Sequence, residues 1–408
     1  MNKLDYINEL EKKNYSILQH IDDTALANQK KILDAFKACR VENRHFFAST
    51  GYGYGDIARE KIEELFSVVF HTESALVRPH FASATHAIVM ALRALLKPGD
   101  NFYTVTGRPY DTIYNAFGLH NGNSSSLSSY GVRYIETGLD AEGHINYHEI
   151  EDMLKCLRIK MVFIQRSRGY HWRKALSMGD IGKVVETVKS VDKNIIIYVD
   201  NCYGEFTEPD EPTGAGADLC SGSLIKNAGG GLAPTGAYIV GKSKLIDEIA
   251  QFFTSPGIGG EIGSYEASYR PFFQGLFMAA HTVAQSLKGA VLFSAAFRDR
   301  GCKVMPGPED HRSDITQSIW LNSGDELIRF CQAVQAASPV DAHVVPEPWD
   351  MPGYSDKVIM AAGTFVQGAS IELSADGPLR EPYIVYLQGG LTYEHCKIAL
   401  AECLQGLD

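Results

Sequence analysis

From Phe70 to about Val240, short apolar runs alternate with amphipathic stretches: SALVRPHF, THAIVMALRALLKPGDNFYTV, KMVFIQRS, DIGKVVETVKSVDKNIIIYVD, DLCSGSLIKN and TGAYIVG. Apolar runs of four to eight residues read as strands, and stretches with a periodicity near 3.6 read as helices. Strands separated by helices at this spacing pair in parallel and predict an open α/β sheet. The run from Asn194 to Val199 is apolar on both faces, β-branched and followed by an acid, which predicts a central buried strand. Residues just beyond the ends of such strands form the ligand crevice of an open α/β sheet.

The flanks read differently. MNKLDYINELEKKNYSILQ mixes acids, bases and apolar residues at helical spacing, so an exposed amphipathic helix is expected rather than a secretory signal. STGYGYGDIARE breaks that helix and opens another at Asp56. From Glu261 onward, SYRPFFQGLFMAAHTVAQSLKGAVLFSAAF predicts a long helix, and SIWLNS, HVVPEP, TFVQGASIELS and PYIVYLQGG predict shorter alternating segments. The expected division is a helical arm over 1–50, a large α/β domain over 51–265, and a linker helix with a small α+β domain over 266–408.

Composition narrows the function classes. A formal net charge of −11 over 408 residues argues against a general nucleic-acid or membrane-surface binder, since both need a basic face. No apolar run reaches the roughly 18 residues that a membrane span requires, and a cytoplasmic protein acting on a small molecule is expected. The eight cysteines form no C-x-x-C pair and read as reduced, mostly buried thiols. His71, His80, His86 and His120 share no metal-ligand spacing, and the GYGYGD glycines lack the strand before them that a dinucleotide fingerprint needs.

Four features carry chemistry. Asp200 ends the NIIIYVD run, where a carboxylate either caps the turn before Cys202 or reaches into a crevice. Lys226 follows Leu224 and Ile225 and precedes Ala228 and three glycines, so it is either a snorkelling surface lysine or an amine whose pKa partial desolvation lowers. Ala82 to Thr85 are small or hydroxyl residues ahead of an amphipathic helix, whose free amides suit a phosphate as well as an ordinary cap by Ser83 suits the helix. Tyr110 follows an apolar strand and is either a turn tyrosine or a ring-stacking aromatic. An amine, a carboxylate, an aromatic and free amides are the parts with which an enzyme holds pyridoxal 5'-phosphate.

VDNCYGEF, GADLCSGSLIKNAGGGLAPTGAYIVG, the GYGYGD loop and DGPLREPYIVYLQGGLTYEH together resemble the methionine gamma-lyase-like family associated with aluminium resistance, within the fold-type I pyridoxal-phosphate enzymes. The resemblance spans nearly the whole chain. It implies an aspartate-aminotransferase-like large domain with a mostly parallel seven-stranded sheet and a small α+β C-terminal domain. It also implies that Lys226 carries the cofactor, Asp200 pairs with the pyridinium, Tyr110 stacks on the ring, and Ala84, Thr85 and Ser223 bind the phosphate. Tyr52 or Tyr54, with Arg59, would cross to a neighbouring subunit's phosphate, giving a homodimer or homotetramer with active sites at the interface. Arg380, displaced a few residues from the family's usual position, would bind the substrate carboxylate. Ala84 replaces a common glycine and Ile225 a common threonine, so the phosphate cup is expected to be built differently. Arg166, Arg168 and His171 follow the KMVFI strand, and a site role is favoured over a salt-bridge role for them.

The expected reaction is elimination of a thiol from a sulfur-containing amino acid, of the methionine gamma-lyase or cystathionine beta- or gamma-lyase kind, giving a 2-keto acid and ammonia. The alternatives are another pyridoxal-phosphate transferase, by transamination or sulfhydryl transfer, and a protein that binds pyridoxal phosphate or an amino acid without turnover.

Overall fold

A computed structural model describes residues 2–119, 122–140, 143–351 and 356–407. The N-terminal helices α1 (Lys3–Lys13) and α2 (Tyr15–Ala38) lead to α3 (Ile57–Val69), whose first turn is capped by Asp56 Oδ1 accepting from the Ala58 and Arg59 amides. Then follow β1 (Ser74–Arg78), α4 (Ala84–Leu95), β2 (Asn101–Thr104), α5 (Asp111–Ala116), β3 (Arg133–Glu136), α6 (Tyr147–Cys156), β4 (Met161–Gln165) and α7 (Met178–Val191). The sheet is completed by β5 (Ile196–Asp200), β6 (Leu219–Ser223) and β7 (Ala237–Gly241), after which come α8 (Ser243–Phe253) and the long α9 (Arg270–Asp299).

These seven strands form one sheet in the order β1-β7-β6-β5-β4-β2-β3, parallel except for β7. The NIIIYVD strand is its centre, as its two apolar faces require. Alternate residues divide between two cores: Phe102, Phe163, Ile196 and Tyr198 pack with α4 and α8, while Tyr103, Ile164, Ile197 and Val199 pack with α6 and α7. β3 was not anticipated from the sequence; it is an edge strand with exposed ends and lacks the continuous apolar signature.

The C-terminal part continues through β8 (Lys303–Met305), β9 (Gln317–Trp320), α10 (Gly324–Ala336), β10 (Val358–Ala361), β11 (Ser374–Pro378), β12 (Ile384–Gln388) and α11 (Tyr393–Gly406). Its five strands form an antiparallel sheet in the order β10-β11-β12-β9-β8. Two expectations need correction. HVVPEP forms no strand, and Val344 and Val345 are exposed, because Pro346 and Pro348 lie within the run and remove ladder donors. In the TFVQGASIELS region the strand begins only at Ser374 and runs through SADGP, where strand pairing overrides weak β-propensity.

α9 is long and apolar enough to cross a membrane by length and composition, yet most of its apolar length is buried in the largest core cluster. It supports the segment after Lys226, where Gly230 and Gly231 adopt φ of 55° and 75° and Gly229 lies against the backbone of Gly275 on α9. A Cβ on Gly275 would collide with the Gly229 carbonyl, which is backbone and cannot swing aside. Gly275→Ala should therefore destabilise the protein by about 1–3 kcal/mol, read as a lower denaturant midpoint; an unchanged midpoint would show that the two segments can separate freely.

Candidate functional site

The register of the central strands lines up their carboxyl ends, with Gln165 of β4 opposite Asp200 of β5 and Asp200 opposite Ser221 of β6. A cavity opens beyond those ends, with about 730 Å³ of empty space counting its open mouth. Lys226, Asp200, Tyr110, Ala84 and Thr85, named from the sequence, all line it. This is the crevice expected at the carboxyl edge of a parallel sheet.

Asp200 is buried, and its Oδ1 accepts from the Cys202 amide at 3.1 Å. Burial raises its pKa, against the opposing pull of the Cys202 amide and thiol and of Lys226. A carboxylate held this way gains most from a bound partner that brings a positive charge. Lys226 is half-buried, with Nζ 4.0 Å from the centroid of the Tyr203 ring. Burial works against its ammonium, but Tyr203, Cys202 and Asp200 outweigh it and the net shift is upward. The expected lowering by desolvation alone is thus corrected by the anionic and aromatic groups the fold places around the amine. Tyr203 itself holds a φ of 72°, a strained region for a non-glycine residue, and so presents its ring to the lysine.

Also lining the cavity, α4 begins at Ala84, capped by Ser83, whose Oγ accepts from the His86 amide at 3.0 Å. The Thr85 hydroxyl hydrogen bonds to the Thr112 hydroxyl at 2.9 Å, putting two hydroxyls beside the positive end of the helix. Tyr110 is fixed by its amide donating to Gln165 Oε1 at 2.5 Å, and its ring lies 6.3 Å from that of Tyr170. An amine, a buried carboxylate, a positioned aromatic and a hydroxyl-lined helix start fit pyridoxal phosphate in donor chemistry and arrangement.

Other candidates lie elsewhere. Ser223 is buried at the end of β6, paired with Ala237, and is not among the residues lining the cavity. Arg380 lies in an adjoining pocket with Arg108 and His171, which meets the main cavity at Tyr110, Gly169 and Tyr170; its Nη1 pairs with Asp356 at 2.7 Å. Tyr52 and Tyr54 are 73% and 66% exposed on the glycine-rich loop, away from the cavity lining of this chain. Arg59 is corrected from a cross-subunit role: it is buried and donates to the Gly53 carbonyl at 2.8 Å and the Glu261 carbonyl at 3.1 Å.

Arg166 and Arg168 are corrected likewise from site to structural roles. Arg166 is fully buried and bonds Glu208 and the Asn201 side chain, each at 2.7 Å, and Arg168 pairs with Asp314 at 3.0 Å. Among the described residues no cluster of metal-ligating side chains occurs, and His120 lies outside them. Sequence reading missed Thr112, Gln165, Asp376, Tyr386 and Gln388, all lining the cavity. Only Gln165 had a usable signal, as a polar residue ending an apolar strand.

The chain matches the family model described as Methionine gamma-lyase over residues 3–408. The protein YnbB of Bacillus subtilis (strain 168) is 46% identical over 401 residues, which are 98% of this chain and 95% of that protein. A carbon-sulfur lyase involved in aluminum resistance from Clostridium novyi NT is 48% identical, with a TM-score of 0.93 and coverage of 98% of this chain and 95% of that one. A candidate cystathionine beta-lyase involved in aluminum resistance from Listeria innocua is 46% identical, with a TM-score of 0.96 and 99% of both chains covered. In fold alone the chain is similar to the pyridoxal-5'-phosphate-dependent protein YhfS of Escherichia coli, at 15% identity and a TM-score of 0.64 over 94% of this chain and 97% of that one. The same holds for CalE6, a methionine gamma lyase from Micromonospora echinospora, at 16% identity and a TM-score of 0.58 over 87% of this chain and 92% of that one.

Behind the lysine, Glu205 is fully shielded from water, accepts from the Tyr238 hydroxyl at 2.9 Å and is pushed up to about 8 by burial, the charge of Glu211 adding to the effect. An acid raised in the folded state holds a proton that the unfolded chain has released, so stability falls as pH rises from the unfolded value of about 4.3 through the folded one. Glu205→Gln should shrink the loss of denaturant stability between about pH 6 and about pH 9; a loss as steep as in the parent protein would show that Glu205 does not titrate there.

Proposed function

The chain belongs to the methionine gamma-lyase family, and on that premise we propose that it is a pyridoxal-phosphate-dependent carbon–sulfur lyase of the fold-type I class, acting on a sulfur-containing amino acid. The observation that carries this reading is the meeting of Lys226, Asp200, Tyr110 and the start of α4 around one cavity. Pyridoxal phosphate, when bound, supplies an electron sink for negative charge at the substrate's Cα.

Each residue then has a task. The Lys226 amine would hold the cofactor's aldehyde carbon and, when free, would take the proton from the substrate's Cα. Asp200 would keep the ring nitrogen protonated, and that pairing would offset the cost of its own burial. Tyr110, which lines the cavity, would cover the ring and exclude water. The amides of Ala84 and Thr85, with the hydroxyls of Thr85 and Thr112, would hold the phosphate at the helix start. The C–S bond would break as its electrons leave with sulfur, which would depart as a thiol on receiving the proton that Lys226 took from Cα, and water would convert the remainder to a 2-keto acid and ammonia.

Arg380 and Arg108, each paired with an aspartate, flank a His171 that burial keeps neutral, and their guanidinium groups would receive the substrate carboxylate. Exposure leaves Tyr52 and Tyr54 available to a neighbouring subunit, where they would close that subunit's phosphate site in a homodimer or homotetramer.

The visible spectrum of the purified protein before and after borohydride, with peptide mapping of the reduced adduct, tests the assignment. The adduct should map to Lys226, and Lys226→Ala should lose the cofactor band and at least about 10³-fold in keto-acid release. A colourless protein that takes up no added pyridoxal phosphate overturns the reading.

A further inference from the structure

The cavity has more negative charge than the cofactor reading uses. Beside Asp200, the described lining contains a second carboxylate, Asp376 on β11, and Lys226 is its only cationic side chain. The neighbouring guanidinium groups are already committed, Arg166 to Glu208 and Arg168 to Asp314. The Asp376 carboxylate is hydrogen-bonded by Gln388, whose Nε2 donates to Oδ2 at 3.2 Å, and is drawn on by the Tyr170 hydroxyl, whereas Oδ1 is shielded from water and has no hydrogen-bond partner among the described residues. A carboxylate oxygen left unmatched in a dry wall is costly unless a ligand supplies the missing donor. Burial raises this carboxyl to about 6, against the pull of Gln388, Tyr170 and Lys226, so it remains mostly ionised at neutral pH.

Building on the lyase reading above, we propose that Asp376 determines specificity by receiving an ammonium carried on the thiol half of the substrate, so that the preferred substrate is a thioether whose leaving fragment is itself an amine. The surroundings suit such a group. Asp376 is the register partner of Tyr386 on β12, and the Tyr386 ring lies 5.1 Å from that of Tyr170, giving two aromatic faces for methylenes and a cation. An ammonium in this position completes a charge-assisted hydrogen bond in a poorly hydrated wall, while a neutral alkyl group leaves the carboxylate unpaired. The acid comes from the five-stranded sheet and Lys226 from the loop after β6, so the two ends of a substrate would be read by different parts of the chain.

The test compares kcat/KM of the holoenzyme for cystathionine and for its analogue with the distal amino group replaced by hydrogen. The parent protein should favour the amine-bearing thioether by at least about 10-fold. Asp376→Asn should bring that ratio toward one, mainly by raising KM for cystathionine, with the cofactor's visible spectrum retained; Asp376→Glu should restore part of the preference. A parent protein without preference overturns the proposal even if the variants fail to fold, and so does an Asp376→Asn variant that loses both substrates alike, as a purely structural role requires. A protein that takes up no cofactor and turns over neither compound overturns the lyase reading and this inference together, an outcome separable from lost preference in a coloured, active enzyme.

Discussion

Arg166 is the ion on which the crevice depends. Its guanidinium is shut off from water and reaches the Asn201 side chain, the Gly204 carbonyl, Thr207 and Glu208, while its own amide donates to the Asp200 carbonyl. One charged side chain at the end of β4 thereby fixes the whole turn that follows β5. Asn201 passes the constraint on by donating to Glu211 at 2.9 Å, and Glu211 accepts from the Phe206 amide at 2.9 Å. A buried ion is tolerable only when such partners surround it, so the turn has little freedom to relax. Asp200, Cys202 and Tyr203 all ride on that turn, and the environment of Lys226 follows from it.

Much of this was legible in the chain. NIIIYVD announced a strand buried on both faces, and from that alone the position of Asp200 at a crevice follows, because a parallel strand delivers its last residue to the carboxyl edge. Lys226 stood out because a lysine between Leu224, Ile225 and three glycines is chemically out of place. What escaped was whatever depends on long-range pairing. Arg166 and Arg168 looked like site cations, since their counter-charges Glu208 and Asp314 are distant in sequence and nothing local says that they meet. Asp376 was invisible for the same reason: SADGP has poor strand propensity, and only its pairing with β10 and β12 makes it a strand facing the cavity.

The two sheets contribute differently to one cavity. The seven-stranded sheet and its loops supply the groups proposed to hold the cofactor, all at carboxyl ends of strands or at the start of a helix. The five-stranded sheet supplies Asp376, Tyr386 and Gln388 from two paired strands. The first set is anchored by the Arg166 network and by the glycine contact with α9. The second is set by cross-strand register, which one backbone ladder fixes for all three residues at once.

That separation bears on how such an enzyme diversifies. Exchanges at Asp376, Tyr386 or Gln388 alter surfaces to which the Arg166 side chain makes no hydrogen bond, so this part of the crevice can be varied without disturbing the turn that carries Asp200. The fold in effect leaves one part of the crevice tightly specified and another open to substitution.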